Sequence, residues 1–239
     1  MKFFLYKFFE KEEYRQDFLD GILYSNKLSY YRTQENRTAG VNDDCENASL
    51  IAWSDQTHFV QNRIVQEGDR VFVQSIAYDT KPADYIEHQG FIAFNDEDFR
   101  VFCMSTIILD DNGIVTHFDK KNKESFGDFG VLLSNSNAFI QRVCQSINRN
   151  KSVTCLRRDF VNYIDYEKRD SIQSWTPFCK FSEFSYQQEY RFVFSSESEG
   201  ALQYVIGPIN DIALIICDKD AFYASVNVGD KIPLRGEMQ

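Results

Sequence analysis

Phe184-Ser185-Tyr186-Gln187-Gln188-Glu189-Tyr190-Arg191-Phe192-Val193-Phe194 is the stretch on which the reading of this chain turns. At the two-residue period of a strand, Phe184, Tyr186, Tyr190, Phe192 and Phe194 fall on one face, which only Gln188 interrupts. Ser185, Gln187, Glu189 and Arg191 fall on the other. A strand packed so heavily on one side holds its polar side rigidly, as a reactive carboxylate requires. The composition agrees with an aromatic sheet: 22 Phe and 13 Tyr belong to an aromatic share of 15%.

Working outward, Phe3-Phe4-Leu5-Tyr6-Lys7-Phe8-Phe9 reads as a second strand, apolar on both faces except for Lys7. A lysine in a run fit for the core needs a partner or a route to water, so Lys7 is either a paired or snorkelling side chain or a phosphate contact. A helix over Glu10–Asp20 follows, with Gly21 as its stop, and then a strand over Ile22–Tyr31. Residues 33–49 read as a polar surface loop holding Asn42-Asp43-Asp44-Cys45-Glu46. Further strands are expected at Arg70–Tyr78, Gly90–Phe94 and Arg100–Leu109, with Asp110–Gly113 turning the chain into Ile114–Phe118. Gly130–Leu133 is a short strand, and Ser136 or Asn137 caps a helix whose apolar face is Phe139, Ile140, Val143, Cys144 and Ile147. Val153–Ile164 fits helix or strand. Leu202–Ile206 and Ile212–Cys217 read as late strands, and Asp218–Ser225 as a last short helix. With no repeat and no Pro/Gly linker, residues 1–239 read as one α+β domain with a mostly antiparallel sheet.

Bulk composition narrows the function classes. Hydrophobic residues make up 43% and charged residues 26%, ordinary for a globular chain with a sizeable core. The net charge of −10 argues against general attraction to nucleic acid or anionic membrane, although a local basic patch remains open. No run approaches the ~20 apolar residues of a membrane span, and the charges from Lys7 to Glu13 spoil a signal peptide. Six scattered cysteines without paired CxxC spacing are expected to be reduced, which suits a cytoplasmic protein.

Several side chains carry two readings. Glu189 and Arg191 form a surface ion pair, with each other or with neighbours, or Glu189 is a catalytic or ligand-binding carboxylate. The acidic loop 42–46 is solvated, lies over a cleft or, with Glu189, holds magnesium in a nuclease. Arg142, Arg149, Lys151, Arg157 and Arg158 are a solvated helix face or a nucleic-acid contact. Ser105 would need a base to act as nucleophile, and His58, His88 and His117 show no triad or metal spacing. No metal is expected.

Leu5-Tyr6-Lys7-Phe8 and Leu19-Asp20-Gly21-Ile22-Leu23-Tyr24-Ser25 resemble the LYKY-like and LYFS-like strands of a bacterial family of uncharacterised proteins. Val41-Asn42-Asp43-Asp44-Cys45-Glu46, Phe102-Cys103-Met104-Ser105 and Gln188-Glu189-Tyr190-Arg191 resemble its FNDPxE, CFS and E[WY]R motifs, with Asp44 for the proline and Val41 for the phenylalanine. The strand–helix–strand order from Leu5 to Tyr24, with the late triplet Gln187-Gln188-Glu189, also resembles ADP-ribosyltransferases. That resemblance implies their fold and NAD as the bound dinucleotide. It makes Glu189 the carboxylate that stabilises an oxocarbenium-like ribose, and Gln187 the residue that orients the acceptor. It also implies Tyr6, Lys7, Tyr24 and Ser25 lining the cleft, supported by Arg191. Lys7 stands where that family carries a His or Arg. The acceptor would be a protein or a nucleic acid, and the setting a bacterial toxin or antiphage effector. A non-enzymatic binding or regulatory protein is the alternative.

Overall fold

The structure, a computed structural model, describes residues 2–32, 48–52, 60–67, 70–77, 91–94, 99–124, 126–149, 153–165, 172–196 and 200–232. The chain opens with β1 (Lys2–Phe9), α1 (Glu12–Leu19), β2 (Ile22–Lys27), α2 (Leu28–Arg32) and β3 (Ala48–Ala52). It continues through β4 (Val60–Glu67), β5 (Arg70–Ala77), β6 (Phe91–Phe94), β7 (Arg100–Leu109), β8 (Val115–His117), β9 (Phe129–Leu133) and α3 (Ser136–Arg149). The last third holds β10 (Val153–Phe160), β11 (Asn162–Ile164), β12 (Ile172–Ser174), β13 (Cys179–Phe181), β14 (Glu189–Ser196), β15 (Leu202–Val205), β16 (Ala213–Ile216) and α4 (Lys219–Ser225).

A nine-stranded sheet runs β10-β14-β7-β1-β9-β16, with β2 and β8 joined to β7 and β15 joined to β2. Its pairings are antiparallel, whereas the small β11–β13 ladder is parallel. The result is an α+β chain with few helices and a mostly antiparallel sheet. α3 lays Phe139, Ile140, Val143 and Ile147 on one side of the sheet, against Phe102, Met104, Phe192 and Phe194. The opposite side is closed by Phe222 and Tyr223 of α4 over Tyr6, Phe8 and Leu132. β1 is thus covered on both faces, which is why it is apolar on both. Burying one such Phe contributes about 1.5–3 kcal/mol.

Gly21 turns α1 into β2 at φ 78°, with Gly207 so close that any Cβ would meet its backbone oxygen. Several boundaries differ from expectation. β2 stops at Lys27 because Leu28 donates its N–H to the Phe99 carbonyl and buries itself against Val101 and Val193, opening α2 instead. α3 is capped by Asn135, whose Oδ1 accepts from Ala138 N at 3.0 Å, while Ser136 Oγ accepts from Leu5 N across the core. Val153–Ile164 is two strands.

The largest correction falls on the opening stretch. Ser182–Gln187 is a 3-10 helix, and the strand begins only at Glu189. Between them Gln188 takes the left-handed conformation (φ 48°, ψ 51°). Its side chain explains why. With the amide oriented to satisfy its neighbours, Nε2 donates to the Thr106 carbonyl at 3.0 Å, and Oε1 accepts from His117 Nε2 at 2.8 Å and Asp119 N at 3.3 Å. Thr106 Oγ1 donates in turn to the Gln188 carbonyl. The residue that interrupts the aromatic face is a buried clamp.

Candidate active-site cleft

β7 carries the cleft. On one edge it pairs with β14 from Arg100 to Ser105. On the other it pairs with β1 from Ser105 to Leu109, and with β2 only at Arg100 and Val101. β1 leaves β7 after Tyr6, so the sheet splits beside Phe102, Cys103 and Met104. Lys7 fills the notch: its Nζ donates to the Cys103 carbonyl at 2.8 Å and lies 5.3 Å from the Phe102 ring centroid. Burial lowers the Lys7 pKa, opposed by the negative charge of Glu189 among others.

A cavity of about 130 Å³ opens at this split. Tyr6, Lys7, Tyr24, Gln187, Glu189 and Arg191 all line it, together with Cys103, Ser105, Tyr31, Phe126 and Lys180. Ser25 does not. It points into β15, where its Oγ donates to the Leu202 carbonyl, because alternation along β2 turns it away from Tyr24.

Glu189 sits at the floor with both oxygens engaged. Lys180 Nζ donates to Oε1 at 2.8 Å, and Arg191 Nε to Oε2 at 2.7 Å. Lys180 also donates to Gln187 Oε1 at 2.8 Å, so Gln187 and Glu189 meet through this lysine, not by lying on one strand face. The left-handed Gln188 between them makes the convergence geometrically available. A surface ion pair is ruled out: Glu189 is 8% exposed, Lys180 4% and Arg191 1%. Burial pushes the Glu189 carboxyl up, but Arg191 and then Lys180 outweigh it and hold the group well below the usual carboxylate range.

The β11–β13 ladder is what presents this arrangement. Tyr163 and Lys180 are register partners there; Tyr163 Oη accepts the Glu189 N–H at 2.9 Å while Lys180 binds the carboxylate. Arg191 is anchored at its far end by the Pro177 carbonyl at 2.6 Å. On the other flank, Ser105 lies in register with both Glu189 and Tyr6. The buried Asn122 donates to Ser105 Oγ and Tyr6 Oη at 2.9 and 2.8 Å.

No family model matches the chain, and no curated protein or solved structure is significantly similar to it. The site must therefore be read from its own chemistry. It holds one ionised carboxylate amid three basic heads, so its field favours a ligand with an anionic group. The Cys103 thiol, pushed up to about 12 chiefly by burial and then by Glu189, is an unreactive member of the wall. Tyr6 is likewise pushed up to about 12, chiefly by burial, and stays a neutral hydrogen-bonding group.

Sequence reasoning missed Lys180 and Tyr163. Lys180, between Cys179 and Phe181, carries the signal that singled out Lys7: a lysine among core-forming neighbours. Tyr163 carries none. Asn42–Glu46, His58 and His88 lie outside the described residues. The basic segment is not one helix face: Arg142 and Arg149 belong to α3, Arg157 and Arg158 to β10, and Lys151 lies outside the described residues. Arg142 pairs with Asp211, with Nη1 donating to Oδ1 at 3.0 Å. Among the described residues no helix is long and apolar enough to cross a membrane.

Proposed function

We propose that the chain is an NAD-dependent transferase of ADP-ribosyltransferase type that modifies a protein or nucleic acid, as a bacterial toxin or antiphage effector does. One observation carries the reading: Lys7, Gln187, Glu189 and Arg191, from opposite ends of the chain, line one concave cavity at a split in the sheet. With NAD bound, its C–N bond would break with the electron pair leaving on neutral nicotinamide, as the acceptor's nucleophile bonds the ribose carbon and gives its proton to solvent. The chain supplies the field. Glu189, ionised and immobilised, faces the developing positive charge; each of its oxygens accepts one described bond and keeps a lone pair for a ribose hydroxyl. Lys7, Lys180 and Arg191 suit the diphosphate, and Gln187 holds the acceptor side.

The dimensions fit only if the ligand extends. A cavity of about 130 Å³ is below the roughly 300–1,000 Å³ of typical ligand sites. A groove of about 920 Å³ adjoins it, sharing Lys7, Tyr24, Tyr31 and Phe102 as common wall. The dinucleotide would continue along that common wall, leaving the part of the groove that the cavity does not share, with Tyr14 and Lys27, unfilled.

The test is label transfer from NAD in a bacterial lysate. Wild type should label a macromolecule, and Glu189→Gln should not. Because that variant leaves two buried cations short of a carboxylate, Gln187→Ala is assayed beside it, with folding of both followed by circular dichroism. Full transfer by a folded Glu189→Gln sinks the assignment. A second reading, a regulator that binds an anion without turnover, is favoured by the buried ion pairs that hold both Glu189 oxygens. It predicts that NAD or inorganic phosphate raises the melting temperature while no label moves.

A further inference from the structure

The groove beside the cavity has a chemistry of its own. Tyr14, Tyr24, Tyr30 and Tyr31 line it, with Lys7 and Lys27, and among the described residues no Asp or Glu lines it. On a chain of net charge −10, a groove whose described lining is basic and aromatic is a local inversion of the molecule's character. Tyr14 and Tyr24 are 45% and 47% exposed, so they offer ring surface to a ligand. Tyr30 and Tyr31 meet edge to face at 5.6 Å, giving the groove a corner of two perpendicular rings. The Tyr24 hydroxyl donates to Asp17 at 3.2 Å, and Lys11, over the Tyr14 ring, is itself paired with Glu13 at 3.4 Å.

Tyrosine faces next to lysines suit a planar base joined to a phosphate; lysines in the wall disfavour a cationic peptide side chain. The groove runs to the cavity through Lys7 and Tyr24, so a base held there would present its own atoms or its sugar near Glu189. From this we infer that the groove seats the acceptor of the proposed transferase, and that this acceptor is single-stranded nucleic acid, with a base against the tyrosines and a phosphate at Lys27. The inference names the acceptor of that reading and rests on it, but its test does not depend on turnover. Net negative charge elsewhere repels the strand, so binding is confined to the groove, short in footprint and weak in salt dependence.

The experiment measures fluorescence anisotropy of labelled single strands of roughly ten nucleotides, DNA and RNA, on the full chain without NAD. Wild type should bind one of them. Tyr14→Ala should weaken binding about tenfold. Lys27→Glu should reduce the slope of log affinity against log salt by about 0.7. Both residues lie outside the 130 Å³ cavity and off the wall it shares with the groove, so both variants should keep the NAD-induced rise in melting temperature. Strand binding that is sensitive to Tyr14, with no response to NAD, upholds the groove and overturns the transferase. A normal NAD response without strand binding overturns the groove. So does AMP competing as well as the strand, which would assign the tyrosines to the dinucleotide's own base. Equal binding of duplex, or displacement by a basic peptide, overturns it as well.

Discussion

Along β14, Tyr190, Phe192 and Phe194 face α3, while Glu189 and Arg191, one residue out of phase, face the cleft. Burial is the same on the two sides, 0% for Phe192 and 1% for Arg191. What differs is how each side is compensated. The aromatic side rests on many small contacts, Phe192 meeting Phe102, Phe139 and Tyr190 at centroid distances of 5.4 to 6.2 Å. No single one of them is indispensable. The polar side rests on a few charged bonds, each needed to offset the desolvation of the others. A dry aromatic face tolerates redesign; a dry ionic face tolerates almost none, and is the place to look for function.

The sharpest way to break this contrast is to cut each face. Arg191→Ala removes the partner of Glu189 and of the Pro177 carbonyl, and should cost about 3–5 kcal/mol in urea unfolding. Phe192→Leu, on the other face, should cost less than about 1.5 kcal/mol. Similar losses for the two would show that the ionic face is more forgiving than its geometry implies.

Gln188 joins the faces, and two substitutions separate its backbone from its side chain. Gln188→Ala forfeits the bonds to Thr106, His117 and Asp119 while keeping a left-handed residue, at a cost of about 2–3 kcal/mol. Gln188→Gly loses the same bonds but is at ease at φ 48°, so it should be about 1 kcal/mol more stable than Gln188→Ala. Alanine equal to glycine would mean that the left-handed turn is not what holds Gln187 and Glu189 together.

Acid should expose the ionic face selectively. Glu189 titrates lower in the fold than the ~4.3 of an unfolded glutamate. Its pairing therefore stabilises fully above that unfolded value and is lost as pH falls toward the folded one. Between about pH 5 and pH 3 wild type should lose more stability than Glu189→Gln, measured as urea midpoints at each pH. Parallel losses would place the acid-sensitive groups elsewhere.

The aromatic half of this architecture was legible because it is periodic: Tyr190, Phe192 and Phe194 alternate, and Phe139, Ile140, Val143 and Ile147 keep helical spacing. β7 could be bounded to the residue for the same reason. The polar half was legible only as candidates. Glu189 and Arg191 stood out on the strand, and Lys7 stood out in an apolar run, but what joins them is long-range. Lys180 reaches Glu189 from a three-residue strand whose parallel partner carries Tyr163, and a pairing that short leaves no periodic trace. The break at Gln188 was hidden because its cause, hydrogen bonds to Thr106, His117 and Asp119, lies some seventy to eighty residues upstream. The split of β1 from β2 is equally invisible to a strand-by-strand reading, since both segments have ordinary strand patterns and part company only along β7.

Ser25 supplies the smallest effect and a clean control. The transferase resemblance grouped it with Tyr24 in the cleft, yet the residue is 1% exposed and its hydroxyl donates to the Leu202 carbonyl at a long 3.3 Å. Leu202 and Ser25 are already register partners in the β15–β2 ladder, so the hydroxyl adds a weak bond to a backbone held by other means. Ser25→Ala should therefore cost at most about 1 kcal/mol and leave any NAD-induced stabilisation at its wild-type value. Tyr24→Ala, one residue away but facing both the cavity and the groove, should lose that stabilisation at little cost to the fold. If Ser25→Ala abolished the NAD response while Tyr24→Ala kept it, the dinucleotide would have to lie on the β15 side of β2, and the split beside β7 would cease to be the site.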